Sequence, residues 1–430
     1  MIDKRNVLVF PCGSEIGLEI HNSLRYSTHF TVFGGSSVDD HGMFVFENYI
    51  GSMPYIDDPR FTQKLNDVIK KYGIDFIIPA HDSVIVKLAR EKAKGRLDCD
   101  VITSPAPTCE LTRSKLKTYK RFAGVVPVPR VYEYPNTISS DDFPVFLKPD
   151  VGQGSRGIYT AKSHDELNFY KKLDPSLLIL ELLPGQMYTV ECFTSRNGEL
   201  IFCEGRERAR VQNGISVNTY TVENPTFTEM AGRINDEIEL RGAWFFQVKE
   251  SSAGVLTLME VAPRIAGTMS LLRSKGINLV LMSLFEALEY GIDVVKNDYR
   301  IEVDRALGNS YQHDLNYRHV YLDFDDLVIH KDKVNPLVMA FVFQCMNNNV
   351  KIHLLTKHKE NLEDSLNKYR LNGLFDELIW LKDGEQKHTY IKEKDSIFID
   401  DSFSERKTVK EKCNLPVFDA HMIEGLMEKF

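Results

Sequence analysis

The sequence predicts a multidomain protein of mixed α/β and α+β architecture, and three observations lead there. A chain of 430 residues exceeds what one hydrophobic core serves. Short apolar runs alternate with amphipathic stretches up to residue 103, and the alternation resumes at residue 319. Between them lies a region that mixes strands and helices and contains Phe143-Pro-Val-Phe-Leu-Lys-Pro-Asp-Val-Gly-Gln-Gly-Ser-Arg-Gly157, a short strand followed by a lysine and a glycine-rich loop.

The first segment opens with a strand at residues 6–10, and the turn Gly13 to Gly17 leads into a helix bearing Ile16, Ile20 and Leu24 on one face. A strand near His29 to Phe33, a helix over about 59–72, and strand, helix and strand at about 75–79, 83–94 and 99–103 complete a parallel sheet covered by helices. The opening turn lacks the full Gly-x-Gly-x-x-Gly fingerprint, and no acidic residue ends the second strand to hold a ribose. Nicotinamide and flavin binding are therefore set aside, while a Rossmann-like fold is kept. Pro105-Ala-Pro107 marks a boundary, and Thr112 to Arg121 reads as one basic helix that stops before Pro127-Val-Pro129. The polar stretch at residues 309–317 reads as a linker.

A net charge of -8 gives no general attraction to nucleic acid or to an anionic membrane surface. The run Val7 to Phe10 is too brief for a secretory signal, and no apolar run reaches bilayer length, so a cytoplasmic protein is expected. Seven scattered cysteines, with no Cys-x-x-Cys pair, read as reduced thiols.

In the central loop Val145 and Leu147 share one face of a strand and Lys148 takes the other. Gly152, Gly154 and Gly157 permit close approach to an anion, Ser155 offers a hydroxyl and Arg156 a charge. No Gly-Lys-Ser/Thr follows, so this is not a Walker A loop; a hairpin with a glycine-rich turn is the plain alternative. Arg206, Arg208 and Arg210 stand at alternate positions, one face of a strand, and burying that face requires anions. Residues 244–249 and 256–262 read as two strands that deliver Gln247 and Glu260, hard oxygen donors of the kind magnesium takes. Farther on, Asp323, Asp325 and Asp326 follow one strand and Asp400 and Asp401 another. Carboxylate pairs at two strand ends repel unless a cation lies between them.

These motifs, in this order, resemble the ATP-grasp superfamily over residues 1 to about 305, in particular the carbamoyl-phosphate synthase large subunit and related carboxylate–amine ligases. The resemblance implies that Lys115 and Lys148, with Gly152, Gly154, Ser155 and Gly157, bind the nucleotide. Glu181 and Leu183 would form the hinge at the adenine edge, Gln247 and Glu260 would hold Mg2+, and Arg264 would act on the transferring phosphoryl group. Arg208 and Arg210 would meet the triphosphate or a substrate carboxylate. Two positions depart from the family: Met187 stands where many relatives have the ribose-binding glutamate, and Ala262 replaces the asparagine of Glu-x-Asn-Pro-Arg, removing one metal ligand.

The last segment resembles the haloacid dehalogenase-like (HAD-like) phosphatases, a three-layer α/β fold. That likeness makes Asp323 the nucleophile, Asp325 the acid/base and Thr356 the phosphate-binding group, with Lys387 chosen over Lys382 and Lys392 as the charge-balancing lysine. Asp323, Asp325, Asp400 and Asp401 become the metal ligands, and Leu327 departs from the usual Thr or Val. The expected domains are a pre-ATP-grasp Rossmann-like domain at 1–107, an ATP-grasp domain at 108–305, a linker at 306–318 and a HAD-like domain at 319–430. The expected function is an ATP- and Mg2+-dependent ligase that joins a small carboxylate to an amine through an acyl-phosphate, with an appended phosphomonoesterase. A glycan or phosphorylated precursor is a further candidate substrate, and a homodimer a candidate assembly. The alternatives are carbamoyl-phosphate synthesis and a catalytically impaired nucleotide-binding regulator.

Overall fold

The structure is a computed structural model that describes residues 4–428 except Gln153, Ser155, Asp298, Arg300, Asn309, Ser310, Gln312 and His313. Two compact units divide the chain, Met1–Leu307 and Gly308–Phe430.

The first unit opens with β1 (Arg5–Phe10), α1 (Glu15–Leu24), β2 (Phe30–Gly35), α2 (Gly42–Val45), β3 (Asn48–Ile50), α3 (Phe61–Tyr72), β4 (Phe76–Pro79), α4 (Asp82–Ala93) and β5 (Asp100–Val101). The strands form one parallel sheet in the order β3-β2-β1-β4-β5. Strand order reverses around β1, so α1 and α4 start beside each other above the carboxyl ends of β1 and β4, where open α/β sheets take ligands. Gly17 is required there, because a Cβ would lie 2.4 Å from the Cys12 carbonyl oxygen.

Next come α5 (Ala106–Arg113) and α6 (Lys115–Phe122). The single basic helix expected here is broken at Ser114, whose hydroxyl accepts from the Lys117 amide and donates to the Asp150 carboxylate at 2.8 Å. Pro107 lies in the first turn of α5, where a missing N–H is harmless, so the proline pair begins a helix as well as marking a boundary.

A four-stranded antiparallel sheet, order β6-β9-β7-β8, is built from β6 (Val131–Tyr132), β7 (Val145–Lys148), β8 (Tyr159–Ala161) and β9 (Leu178–Glu181), with α7 (His164–Leu173) between the last two. The remainder comprises β10 (Met187–Thr194), β11 (Leu200–Gln212), β12 (Ile215–Val222), α8 (Pro225–Glu237), β13 (Gly242–Glu250), β14 (Leu256–Ala262), α9 (Ser270–Ser274), α10 (Leu279–Ala287) and β15 (Glu302–Asp304). Its strands form a six-stranded antiparallel sheet, order β14-β13-β10-β11-β12-β15. The strands on either side of Pro184-Gly185 thus belong to different sheets, and that turn joins two sheets rather than closing a hairpin. Trp244, Phe246 and Val190 pack under Phe227, Met230 and Ile234 of α8. Phe193 and Ala243 on the opposite face share a core with Val7, Val9 and Ile20 of the parallel sheet and with α10.

The arginines of β11 do not all share one fate. Arg206 and Arg208 are buried, but the β11–β12 register shifts between Glu207 and Arg210, and Arg210 is exposed in an ion pair with Asp304. The bulge turns the third arginine away. Arg206 is paired at 3.1 Å with Glu191, itself 1% exposed.

In the second unit β16 (His319–Leu322), β17 (Ile329–His330), β18 (Lys333–Val334), α11 (Pro336–Asn347), β19 (Lys351–Thr356), α12 (Leu362–Tyr369), β20 (Glu377–Trp380), β21 (Ser396–Ile399), α13 (Phe403–Cys413) and β22 (Val417–Phe418) follow in order. The main sheet is parallel, β20-β19-β16-β21-β22, with β17 and β18 as a separate small hairpin. Leu315 and Tyr317, from the stretch read as linker, pack against this unit's core. No described helix is long and apolar enough to cross a membrane.

Glu191→Ala leaves Arg206 buried without a counter-charge. The expected loss is about 3–5 kcal/mol, read as a lower urea midpoint for the first unit's transition.

Candidate active site

In the first unit a cavity of about 650 Å³ lies where the parallel sheet meets the six-stranded sheet. The parallel sheet contributes the starts of its two adjacent helices, Ser14, Glu15, His81 and Asp82. Gly152, Gly154 and Arg156 come from the glycine loop, and Thr189, Arg206, Arg208, Phe245, Gln247 and Glu260 from β10, β11, β13 and β14. Gln247 and Glu260 are direct cross-strand partners, which sets their side chains together. A narrower cleft continues from this cavity past Arg113, Lys115 and Ala262.

Arg264 is locked in place. Its Nε donates to Asp82 Oδ1 at 2.5 Å, Nη1 donates to the Ile265 carbonyl at 3.0 Å, and the guanidinium lies over the Phe245 ring. Burial pushes the Asp82 carboxyl up, but Arg264, with Arg113 and His81 behind it, outweighs burial and holds the group below the usual carboxylate range. His81 is pushed down by burial, and its Nδ1 accepts from the Ser83 amide at 3.3 Å.

Lys148 sits behind the cavity wall, 5% exposed, with Nζ 2.6 Å from the Tyr119 hydroxyl. Burial, reinforced by Lys115, pushes its amine down to about 7, while Glu260 pulls the other way. Lys115 Nζ donates to the carbonyls of Asp150 and Gly152 at 3.3 Å, and Arg113 also donates to Gly152, so the loop backbone is tied to α5 and α6. Gly154 and Gly157 have φ of 61° and 69°, a region that side chains resist.

The structure thus brings together Gly152, Gly154, Arg208, Gln247, Glu260 and Arg264, with Lys115 and Lys148 at the margin. Ser155 lies outside the described residues. Glu181 ends β9 and Leu183 is buried just after it, and neither lines the cavity; Gly157 and Arg210 do not line it either. Met187 contributes through sulfur, its Sδ accepting from Arg208 at 3.0 Å. Sequence reasoning missed Asp82, His81, Glu15 and Tyr119. The one available signal was Ala80-His-Asp82 directly after a parallel strand.

In the second unit Asp323, Asp400 and Asp401 place carboxylate oxygens within 4.8 Å of one another at the carboxyl ends of β16 and β21. Lys387 Nζ reaches Asp323 at 2.8 Å and Asp400 at 2.6 Å. Burial and the Asp323 charge raise Asp400 to about 6, and burial also raises Asp323 against the opposing pull of Lys387. Asp325 stands outside the cluster, held by His358 Nδ1 at 2.9 Å. Thr356 is fully buried and its hydroxyl accepts from the His358 amide.

Comparison with solved structures finds low identity with extensive overlap. The biotin carboxylase domain of 2-oxoglutarate carboxylase from Hydrogenobacter thermophilus, solved with MgADP and bicarbonate, matches at TM-score 0.56 and 15% identity, over 69% of this chain and 72% of that one. Biotin carboxylase from Campylobacter jejuni, in complex with β-γ-ATP, matches at 0.56 and 13%, over 69% and 74%. L-amino acid ligase from Bacillus licheniformis matches at 0.53 and 15%, over 67% and 75%. Residues 174–307 also match the family model described as ATP-grasp in the biosynthetic pathway with Ter operon. The first unit has the ATP-grasp fold. The second unit is too short to supply such coverage, so the likeness draws mainly on the first unit. A search of curated proteins finds no match.

Within the ATP-grasp unit, Lys148 carries less charge as pH rises through about 7. Tripolyphosphate affinity, measured by calorimetry, is expected to weaken over that range, and Lys148→Met to bind more weakly with a flatter profile. The linkage sign for stability is the reverse. Between the native value near 7 and the ordinary 10.5 the unfolded chain holds the extra proton, so this lysine's contribution to stability rises with pH across that window.

Proposed function

We propose that the protein is an ATP- and Mg2+-dependent carboxylate–amine ligase whose cavity activates a small carboxylate as an acyl-phosphate for attack by an amine. The observation that carries this reading is the set of cations, Arg113, Lys115, Arg156, Arg206, Arg208 and Arg264, that line the cavity and its cleft against the carboxylates of Glu15, Asp82 and Glu260, with Lys148 behind the wall. Such an excess of positive charge suits a polyphosphate. Glu260 supplies the hard oxygen that magnesium takes when it arrives on substrate phosphates, and the ion would neutralise charge on the transferring group. Lys148 and the glycine loop hold the phosphate chain. Arg264, fixed by Asp82, presents its remaining N–H groups to the phosphoryl or carboxylate oxygens, since a rigid guanidinium needs no reorganisation as charge develops. The part of the cavity lined by Ser14, Glu15 and His81 suits the acceptor amine.

In this reading residues 1–107 are a Rossmann-like domain preceding the ATP-grasp domain at 108–305, with 306–318 as linker. The names of the similar structures, an amino acid ligase among them, and the biosynthetic description of the matching family favour ligation over a purely regulatory role. The Hydrogenobacter domain is a dimer, which favours a homodimer here.

For residues 319–430 we propose a HAD-like phosphomonoesterase. What supports it is the three-carboxylate cluster with Lys387 between two of its members. Asp323, Asp400 and Asp401 fit a magnesium ion, because three close carboxylates with one ammonium leave uncompensated negative charge. Asp323 would attack phosphorus and Asp325, oriented by His358, would protonate the leaving oxygen.

Glu260→Ala is expected to abolish amine-dependent release of ADP and phosphate across a panel of small acids, while turnover that persists would reject the site. Asp323→Asn should lower Mg2+-dependent hydrolysis of a generic phosphomonoester by at least about a hundredfold. Hydrolysis at the wild-type rate would refute the nucleophile.

A further inference from the structure

Arg208 is the buried guanidinium of the cavity that has no counter-charge of its own. Arg206 beside it has Glu191 at 3.1 Å, and Arg264 has Asp82 at 2.5 Å. Arg208 is 9% exposed, yet its three contacts among the described residues are all to uncharged acceptors. Nη1 donates to Gln247 Oε1 at 3.1 Å and to Met187 Sδ at 3.0 Å, and Nη2 donates to the Gly214 carbonyl at 2.7 Å. Neutral acceptors fix the fork without cancelling its charge, whereas a glutamate at either 247 or 187 would neutralise it. No hydrogen-bonded carboxylate cancels that charge, which Glu260 and Glu15 offset only through space.

The contact also competes with a metal ligand, because a cation on the Gln247 oxygen would sit against the guanidinium. Gln247 is the cross-strand partner of Glu260, so its amide oxygen is the natural second donor for a cation on that carboxylate, but here the oxygen is committed to a guanidinium. Ala262, two residues beyond Glu260 on the same strand, offers no side-chain donor. One hard carboxylate remains, which suits one magnesium ion that brings phosphate oxygens as its other ligands. A second divalent ion would have to displace Arg208 and sit against Arg264, Lys115 and Lys148.

We propose that Arg208 takes the place of a second divalent cation, so that the site holds a single metal ion per nucleotide and the guanidinium supplies the other positive charge on the phosphate chain. This rests on the nucleotide-binding reading above. It explains Met187 and Ala262 together, as the neutral seat and the vacated donor that an arginine at this position requires. Arginine suits the task because its planar fork matches phosphate oxygens and its weak hydration makes burial less costly than for an ammonium.

Mn2+ titration of the wild-type protein with ADP, read by electron paramagnetic resonance, tests the stoichiometry directly. The Asp323, Asp400 and Asp401 cluster can take Mn2+ of its own, so binding is counted as the difference between titrations with and without ADP. One additional Mn2+ per bound nucleotide is expected, and two additional ions would overturn the proposal while leaving ATP binding intact. Absence of any adenine-nucleotide binding would instead reject the ligase reading, and this inference with it. Arg208→Ala should weaken MgADP binding by about tenfold or more while changing AMP binding by less than about twofold, because AMP lacks the outer phosphate. Arg208→Lys should fall between, keeping charge but not the fork. Equal losses for ADP and AMP, or no loss for either, would overturn it. The ligand-free Arg208→Ala protein is expected to be at least as stable as wild type, since a buried unpaired charge is removed; a lower unfolding midpoint would assign Arg208 a structural role.

Discussion

A surplus of buried positive charge is the constraint around which the ATP-grasp unit is arranged. Taking an ion out of water costs several kcal/mol even after relaxation, and a chain avoids that cost by pairing each charge. The unit does so for Arg206 with Glu191 and for Arg264 with Asp82. It does not do so for Arg208 or Lys148, whose hydrogen bonds go to an amide, a thioether, a backbone carbonyl and a phenol. Lys148 responds by titrating near neutrality, an option that a guanidinium does not have. The two unpaired cations flank Glu260, so the deficit of negative charge is concentrated in one place.

Holding such a deficit open requires stiff supports on every side. The six-stranded sheet provides one wall, with Gln247 and Glu260 in register and Thr189 adjacent on β10. The parallel sheet provides the other through α1 and α4, which begin side by side. Asp82 joins the walls: it is the first residue of α4 yet holds an arginine 182 residues later in the chain. The shared core of Val7, Val9, Phe193 and Ala243 keeps the walls at a fixed separation. The glycine loop spans the gap, and Lys115 and Arg113 bind its carbonyls from beneath.

Much of this was legible in the sequence where chemistry is carried by local order. Strand-Lys-Pro followed by spaced glycines marks Lys148 and its loop, and Glu-Val-Ala-Pro-Arg marks Glu260 and Arg264 without any knowledge of packing. Contacts that depend on tertiary approach left no such mark. Nothing beside Asp82 announces Arg264, and nothing beside Gln247 announces that its oxygen serves an arginine. The regular alternation of Arg206, Arg208 and Arg210 suggested one shared face, but a bulge is a backbone choice that the side-chain pattern does not encode. Likewise the basic run at 112–121 has helical residues throughout, and its break at Ser114 depends on Asp150, from another part of the chain. Met187 reads in isolation as a loss, but its sulfur accepts from Arg208.

The second unit applies the opposite charge logic to a smaller site. Three carboxylates at two strand ends face one ammonium, so if all ionise the set carries a net negative charge in a largely buried setting. Lys387 bridges Asp323 and Asp400 and is itself held above its ordinary range, since the two carboxylates outweigh the effect of burial. It cannot balance Asp401 as well. Asp400 therefore rises to about 6, which means that the cluster keeps part of its charge near neutral pH only against its own repulsion. On the phosphomonoesterase proposal, a divalent cation among the three would relieve that repulsion and keep the carboxylates ionised, Asp323 among them. Asp325 stands outside the cluster, where His358 holds it. One aspartate inside a cation-demanding cluster and one beside a histidine meet different surroundings although only two residues apart, and the proposed division of nucleophile and acid/base rests on that separation.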